Sequence, residues 1–234
     1  MDALYFLNSR TRFIRFFYAE SSASFSGVKD KIENALPPFD DPPYSEDSEP
    51  PYLEEWMDAE AALDVLGVAC ISMLSDSLKL YFKTLEERVI GFGFENREAP
   101  FRGGFVPAYL AALGEILGTD WSDCPVDLAL IEQIVLVRNR GQHGEDLTSF
   151  HVTHDKATLD KHPRPFFVAD SELSALTAEE GSLASLLMPT IKVDGAGLHR
   201  ALDEVDALAS WIEDRLGHAH DWRRRVARPQ VEQP

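Results

Sequence analysis

Apolar positions recur at helical spacing through most of the chain. The longest run covers residues 52–89, where Leu53, Trp56, Met57, Leu63, Gly67, Cys70, Ile71, Leu74, Leu78, Phe82 and Leu85 form one stripe. A helix of that length is expected to span a whole bundle. Residues 3–20 form a second amphipathic segment. Phe6, Leu7, Phe13, Ile14 and Phe17 share one arc there, opposite Asn8, Arg12 and Arg15. Arg10 falls inside the apolar arc and reads as a snorkelling side chain or an ion-pair member. Further helices are predicted over 28–36, over 106–117, from Val126 into the stretch 137–144, and over 171–187. A clean stripe of Leu198, Leu202, Val205, Leu208, Ile212 and Leu216 marks one more over 198–216.

The intervals between these runs set the organisation. Residues 37–51 hold Pro-Pro pairs at 37–38, 42–43 and 50–51 with acids between them, which predicts an extended linker. Residues 91–104 read as a turn whose Phe92, Phe94 and Phe101 cover one bundle end. The glycines there do not form a phosphate-binding fingerprint, because Gly91-x-Gly93 lacks the third glycine and follows a helix. Pro125 suits the first turn of the helix that follows. Segments 150–152 and 166–168, both Phe-rich and β-prone, predict two short strands in a hairpin. His151 and His154 would then lie on opposite faces, too poorly placed to share a metal. The expected class is all-α, an up-and-down bundle of four or five helices with a small β excursion. It divides into an N-terminal helical segment (1–36), the linker (37–51), the main helical domain (52–217) and a basic polar tail (218–234).

Composition narrows the chemistry. The 234 residues carry a formal charge of −18. That charge excludes nucleic-acid binding through the whole surface but leaves room for a local basic site. Cys70 and Cys124 sit in apolar helical contexts and read as reduced core residues. Arg10, Arg12 and Arg15 break the N-terminal apolar run, so a signal peptide is not expected. No run reads as long and apolar enough to span a membrane, and a cytoplasmic location is the expectation. No cofactor and no metal are expected either.

The candidate chemistry lies at the end of the helix that begins near Val126. Its apolar arc holds Leu130, Ile131, Ile134, Val135 and Val137, and Arg138 falls in the middle of it. An arginine cannot shed its charge, so this end is expected to face a cleft or a partner subunit. Asn139 and His143 are four apart and stack on an adjoining face before the glycines end the helix. A cation with a forked donor set, an amide that can orient a ring, and a group that titrates near neutrality thus come together. On the preceding long helix, Glu60 and Asp64 interrupt the stripe four residues apart and need cations on that face. They read as members of a structural salt bridge, or, Asp64 above all, as the group that holds Arg138 or His143. Gln142 is a further supporting candidate.

Arg138, Asn139 and His143, with four residues between arginine and histidine, resemble the Arg-x(4–6)-His motif of the HEPN superfamily over about residues 52–217. That resemblance implies an all-helical domain acting as a metal-independent endoribonuclease, with Arg138, Asn139 and His143 as its catalytic set. It also implies a homodimer. On one ideal helix Arg138 and His143 point about 140° apart, and HEPN-like enzymes typically bring two motif helices together across a two-fold axis. A toxin or defence role, with an antitoxin-like protein partner, follows from the same resemblance. Some such members carry a tyrosine two residues after the histidine as a modification target, where this chain has Glu145. The rival expectation is a non-catalytic dimeric module that binds a nucleotide or a protein. The tail, with Trp222 among Arg223, Arg224, Arg225 and Arg228, is expected to be solvated or to touch phosphate.

Overall fold

A computed structural model describes residues 2–42, 49–94, 96–142, 147, 150–169, 171–174 and 188–226. The chain is all-α in these residues, and its helices are arranged around one long central element. Helix α1 (Ala3–Glu33) starts where the Asp2 carboxylate accepts the Tyr5 N–H, and it continues unbroken through the Ser-rich stretch at 21–27. The sequence predicted two segments here, yet the structure has one. Its inner face, with Leu7, Thr11 and Ile14 buried, lies along helix α2 (Leu53–Thr84). That packing keeps a sequence of modest propensity helical.

Helix α2 is the core of the molecule. Cys70, Ile71, Leu74, Leu78 and Phe82 are fully shielded from solvent, so the stripe read from the sequence is covered from Gly67 onward, whereas Leu53, Trp56 and Leu63 are half-buried and Met57 is exposed. Over Leu53–Ile90 this helix is long and apolar enough to cross a membrane by length and composition, with a mean hydropathy of 1.6, contrary to the sequence expectation. Half of that apolar window is buried within the chain. It packs against α1, against α5 (Leu128–Gly141) and against α7 (Gly195–Glu213). Those packing surfaces give the apolar face a covalently attached environment of its own.

Past Thr84 the backbone widens into a π-helical turn, Leu85–Ile90, which turns Glu86 inward. The buried Glu86 carboxylate accepts a hydrogen bond from Tyr109 Oη at 2.5 Å and pairs with Arg97. Burial, and then this bond to Glu86, push the Tyr109 hydroxyl well above its ordinary pKa. Phe94 and Phe101 pack edge-on against the Tyr109 ring, with centroids 5.5 and 5.6 Å away, so the Phe-rich turn does close the bundle end. A short helix α3 (Glu98–Phe101) lies within that turn, and α4 (Phe105–Leu117) follows.

The region after α5 departs from expectation. Among the described residues there is no hairpin between 150–152 and 166–168. A third segment lies between them instead. His154 N–H donates to Pro189 O, Ile191 N–H to Val152 O and Lys192 N–H to Phe167 O, and the one ladder contact is an antiparallel bridge from Thr153 to Thr190. Helix α6 (Lys156–Lys161), capped by Asp155, occupies the connection. The predicted helix at 171–187 is helical at 171–174, and the rest of it lies outside the described residues. The last stripe forms α7. The expected polar tail continues as helix α8 (Leu216–Val226), which packs on α4 and on the π-helical turn. There Arg223 donates to Val89 O at 2.6 Å, so the first part of the tail is docked.

The segment carrying Val193 explains one glycine of the stripe. A Cβ at Gly67 would lie 2.2 Å from the Val193 carbonyl oxygen. Only glycine lets this extended segment lie flat on α2, and that contact brings Lys192 over the acidic side chains one to two turns earlier.

Candidate functional site

Helix α5 begins where the Asp127 carboxylate accepts the Leu130 N–H at 3.0 Å, with Pro125 outside the helix, before the cap. Its apolar arc is covered by the chain itself. Leu130, Ile131, Ile134 and Val137 are all buried, against α2, α4 and α7. The arc therefore does not need a partner subunit to shield it, contrary to the sequence expectation. Arg138 emerges at the edge of the buried arc with 27% of its side chain exposed. Nη2 lies 3.4 Å from Asp76 Oδ1, and Nη1 lies 3.4 Å from the Asn139 side-chain oxygen. Both distances are at the outer limit of hydrogen bonding. Arg138 Nε is shielded and has no hydrogen-bond partner among the described residues. Asn139 and Gln142 are exposed. His143 lies outside the described residues.

The last residue of the helix is glycine for a packing reason. A Cβ at Gly141 would meet Val68 Cγ1 at 2.4 Å, so α5 and α2 touch backbone to side chain here. Arg140 donates from Nε to Thr153 O at 2.9 Å. It ties α5 to the segment that follows and is a structural residue.

Asp64 is built into a separate cluster. Lys192 Nζ lies 2.5 Å from Asp64 Oδ1 and 2.6 Å from Glu60 Oε1, and Lys29 pairs with the other Glu60 oxygen. His151 Nδ1 lies 3.4 Å from Asp64 Oδ2. Hydrogen bonds from Lys192 and then Lys29 hold the Glu60 carboxyl below its ordinary pKa. Burial works against the Lys192 charge, but its bonds to Asp64 and Glu60 outweigh it and raise its pKa. Glu60 and Asp64 are therefore members of a salt-bridge cluster, and the alternative in which Asp64 holds His143 falls on a residue outside the described ones. Asp64 does not hold Arg138, because Asp76 does so three turns further along α2, about 18 Å away at 1.5 Å per residue.

Asp64, Val65, Val68, Ser72, Gly141 and His151 line a cavity of about 190 Å³ beside the end of α5. His154, by contrast, is buried, with Nε2 2.9 Å from Phe167 O. Burial pushes its pKa below the ordinary imidazole value. The two histidines thus serve different neighbours. Among the described residues no three His, Cys, Asp or Glu side chains gather as a metal site would require. Cys70 and Cys124 are both free thiols, and burial pushes the Cys70 thiol up to about 11.

Sequence reasoning missed three participants: Asp76 as the partner of Arg138, Lys192 as the cation over Asp64, and His151 at the cavity. Asp76 alone had a local signal, an acid in the apolar stretch of α2. Lys192 and His151 arrive from distant parts of the chain, and nothing in their surroundings announces it. No known protein family matches the chain, and no curated protein or solved structure is significantly similar to it.

Proposed function

We propose that the chain is a metal-independent endoribonuclease of HEPN-like design, acting through Arg138, Asn139 and His143. The observation that carries this reading is the state of Arg138. Its guanidinium stands at the end of a buried helix, partly exposed, and among the described residues it is held only by two long contacts to side chains that are themselves exposed. A phosphate offers two oxygens to that fork and is a better partner than a single carboxylate at 3.4 Å. His143 takes the proton of the ribose 2′-OH, whose oxygen attacks phosphorus as the bond to the 5′-oxygen breaks. Arg138 stabilises the charge that builds on the phosphorane, and Asn139 or Gln142 orients the imidazole. The departing 5′-oxygen takes a proton from water and His143 returns the one it took to solvent, leaving 2′,3′-cyclic phosphate and 5′-hydroxyl ends. The roughly 140° between Arg138 and His143 on one ideal helix favours a homodimer in which two motif helices share a site. A toxin or defence role with an antitoxin-like protein partner fits the same chemistry.

The test is incubation of purified protein with labelled total RNA in EDTA. Cleavage is expected to survive chelation, to leave cyclic phosphate ends, and to fall by roughly 10²–10⁴-fold in His143→Ala. Activity that vanishes in EDTA and returns with magnesium or manganese contradicts the mechanism, and so does cleavage that is unchanged in His143→Ala.

One observation favours a second reading, a non-catalytic dimeric module. The outer face of α1 exposes Phe6, Phe13 and Phe16 by more than half, a large apolar area on an acidic chain. Light scattering that gives a dimer for the wild type and for Arg138→Ala, with no cleavage by either, would favour it.

A further inference from the structure

The buried face of α1 is aliphatic and its open face is aromatic. At 100° per residue, Tyr5, Phe6, Phe13, Phe16 and Phe17 fall within an arc of about 120°, and the buried Leu7 and Ile14 lie beyond its edge. They are 60, 56, 52, 61 and 36% exposed, and every exposed large apolar side chain on α1 is one of them. Phe13 and Phe17 lie nearly parallel, with centroids 6.1 Å apart. A seam made for another helix is expected to carry aliphatic knobs. Flat π-faces set among cations are what single-stranded nucleic acid uses, because every base can stack on them.

The cations are present. Between α1 and α2 run two cavities of about 490 and 420 Å³, both lined by Phe6, Arg10 and Ser77, so they form one groove. Arg10, Lys83 and Arg88 line it, and Arg12 borders the aromatic arc on the far side. Its two carboxylates, Asp76 and Glu87, pair with Arg138 and with Lys83, which leaves Arg10 and Arg88 as the groove's surplus positive charge. On a chain with a net charge of −18 this groove is a local excess of positive charge, the complement of a polyanion. Through Asp76 it leads directly to Arg138.

We propose that the α1–α2 groove is a track for single-stranded RNA, whose bases stack on Phe6, Phe13 and their neighbours while Arg10, Lys83 and Arg88 meet its phosphates. The track delivers the strand to Arg138. It rests on the reading of the chain as a protein that acts on RNA, and it deepens that reading by naming unpaired strands as the substrate class. A duplex cannot offer its bases to the aromatic arc.

The test uses the full chain and a short fluorescent 2′-O-methyl RNA, which lacks the nucleophile for cleavage. Polarisation titrations compare this single strand with its duplex, for wild type, Phe6→Leu/Phe13→Leu and Lys83→Glu/Arg88→Glu. All these side chains are exposed or line the open groove, and a thermal melt checks that each variant folds. The track predicts preference for the single strand and a loss of about tenfold or more in the leucine pair, which keeps apolar area but not stacking. It also predicts a loss in the glutamate pair, together with a shallower salt dependence. Wild-type affinity in the leucine pair, or equal binding of duplex and single strand, overturns the proposal. So does a wild-type dimer that Phe6→Ala/Phe13→Ala dissociates without changing RNA affinity, because the occupant is then a second copy. Binding that follows these variants in a protein that cleaves nothing would sink the ribonuclease reading and leave the track standing.

Discussion

Two aspartates on α2, three turns apart, show how differently the same residue can be used. Asp64 is almost wholly covered and faces Lys192 and His151, while the neighbouring Glu60 binds Lys192 and Lys29. Asp76 is half exposed and meets one cation, Arg138, at 3.4 Å. The first arrangement is structural. Its charges are partly desolvated, paired with one another and fixed by a segment that rests on Gly67. The second is loose enough for a ligand to replace the carboxylate at little cost. Of the two acidic positions, the one that resembles a site by burial is committed to the fold, and the one that resembles an ordinary surface pair adjoins the available cation.

The sharpest way to break this contrast is to remove each carboxylate. Asp64→Ala strands Lys192 beside Glu60 alone, at a partly buried position. A loss of about 2–3 kcal/mol in urea unfolding is expected. Asp76→Ala should change stability by less than about 0.5 kcal/mol. Equal effects would mean that the two positions do not differ as described.

The α2–α5 contact that separates the two regions should be nearly as sensitive. Gly141→Ala drives a methyl into Val68, a β-branched side chain with little freedom to turn away. A loss of about 1–3 kcal/mol is expected, measured by thermal or chemical unfolding. A neutral or stabilising result would show that α5 can slide on α2, and that the placement of Arg138 is soft.

Arg140→Ala should cost about 1 kcal/mol, because it leaves the Thr153 carbonyl without the Nε donor. If its effect falls instead on RNA cleavage, with stability unchanged, then Arg140 and not Arg138 is the phosphate ligand.

The remaining effect is one of pH. His154 is buried as the neutral ring, and its pKa lies below the ordinary 6.5. The unfolded chain therefore takes up a proton near pH 6.5 that the folded chain takes up only at lower pH. This contribution to stability is complete above about pH 6.5 and is lost as pH falls below it, at no more than about 1.4 kcal/mol per pH unit. Unfolding curves between neutral and mildly acid pH should show the decline, and His154→Gln should flatten it. A decline unchanged in His154→Gln would assign it to another group.

Much of the fold was legible because a 3.6-residue period is a local signal. The stripe of α2 from Gly67 to Leu85 and that of α7 from Leu198 to Ile212 name residues that are buried, while Met57, earlier on the α2 stripe, is exposed. On α1 the pattern misled, because an apolar arc does not say which part of itself will be covered. Leu7 and Ile14 face α2, whereas Phe6, Phe13 and Phe17, on the same arc, face outward. The hairpin failed for a related reason. Two β-prone segments were visible, but the third segment, at 189–192, takes the hydrogen bonds that the two were expected to exchange. At the site, Arg138 and Asn139 stood out by their types and spacing. The cluster around Asp64 did not, since Lys29, His151 and Lys192 come from three separate stretches of chain. Nothing local marks a lysine that will lie over a carboxylate more than a hundred residues away.

The central claim is that Arg138 is free to exchange Asp76 for a phosphate, and one pair of variants tests it. Cleavage of labelled RNA in EDTA should be abolished in Arg138→Ala and retained or raised in Asp76→Ala, with both proteins folded. Loss of cleavage in Asp76→Ala together with full activity in Arg138→Ala would contradict the account.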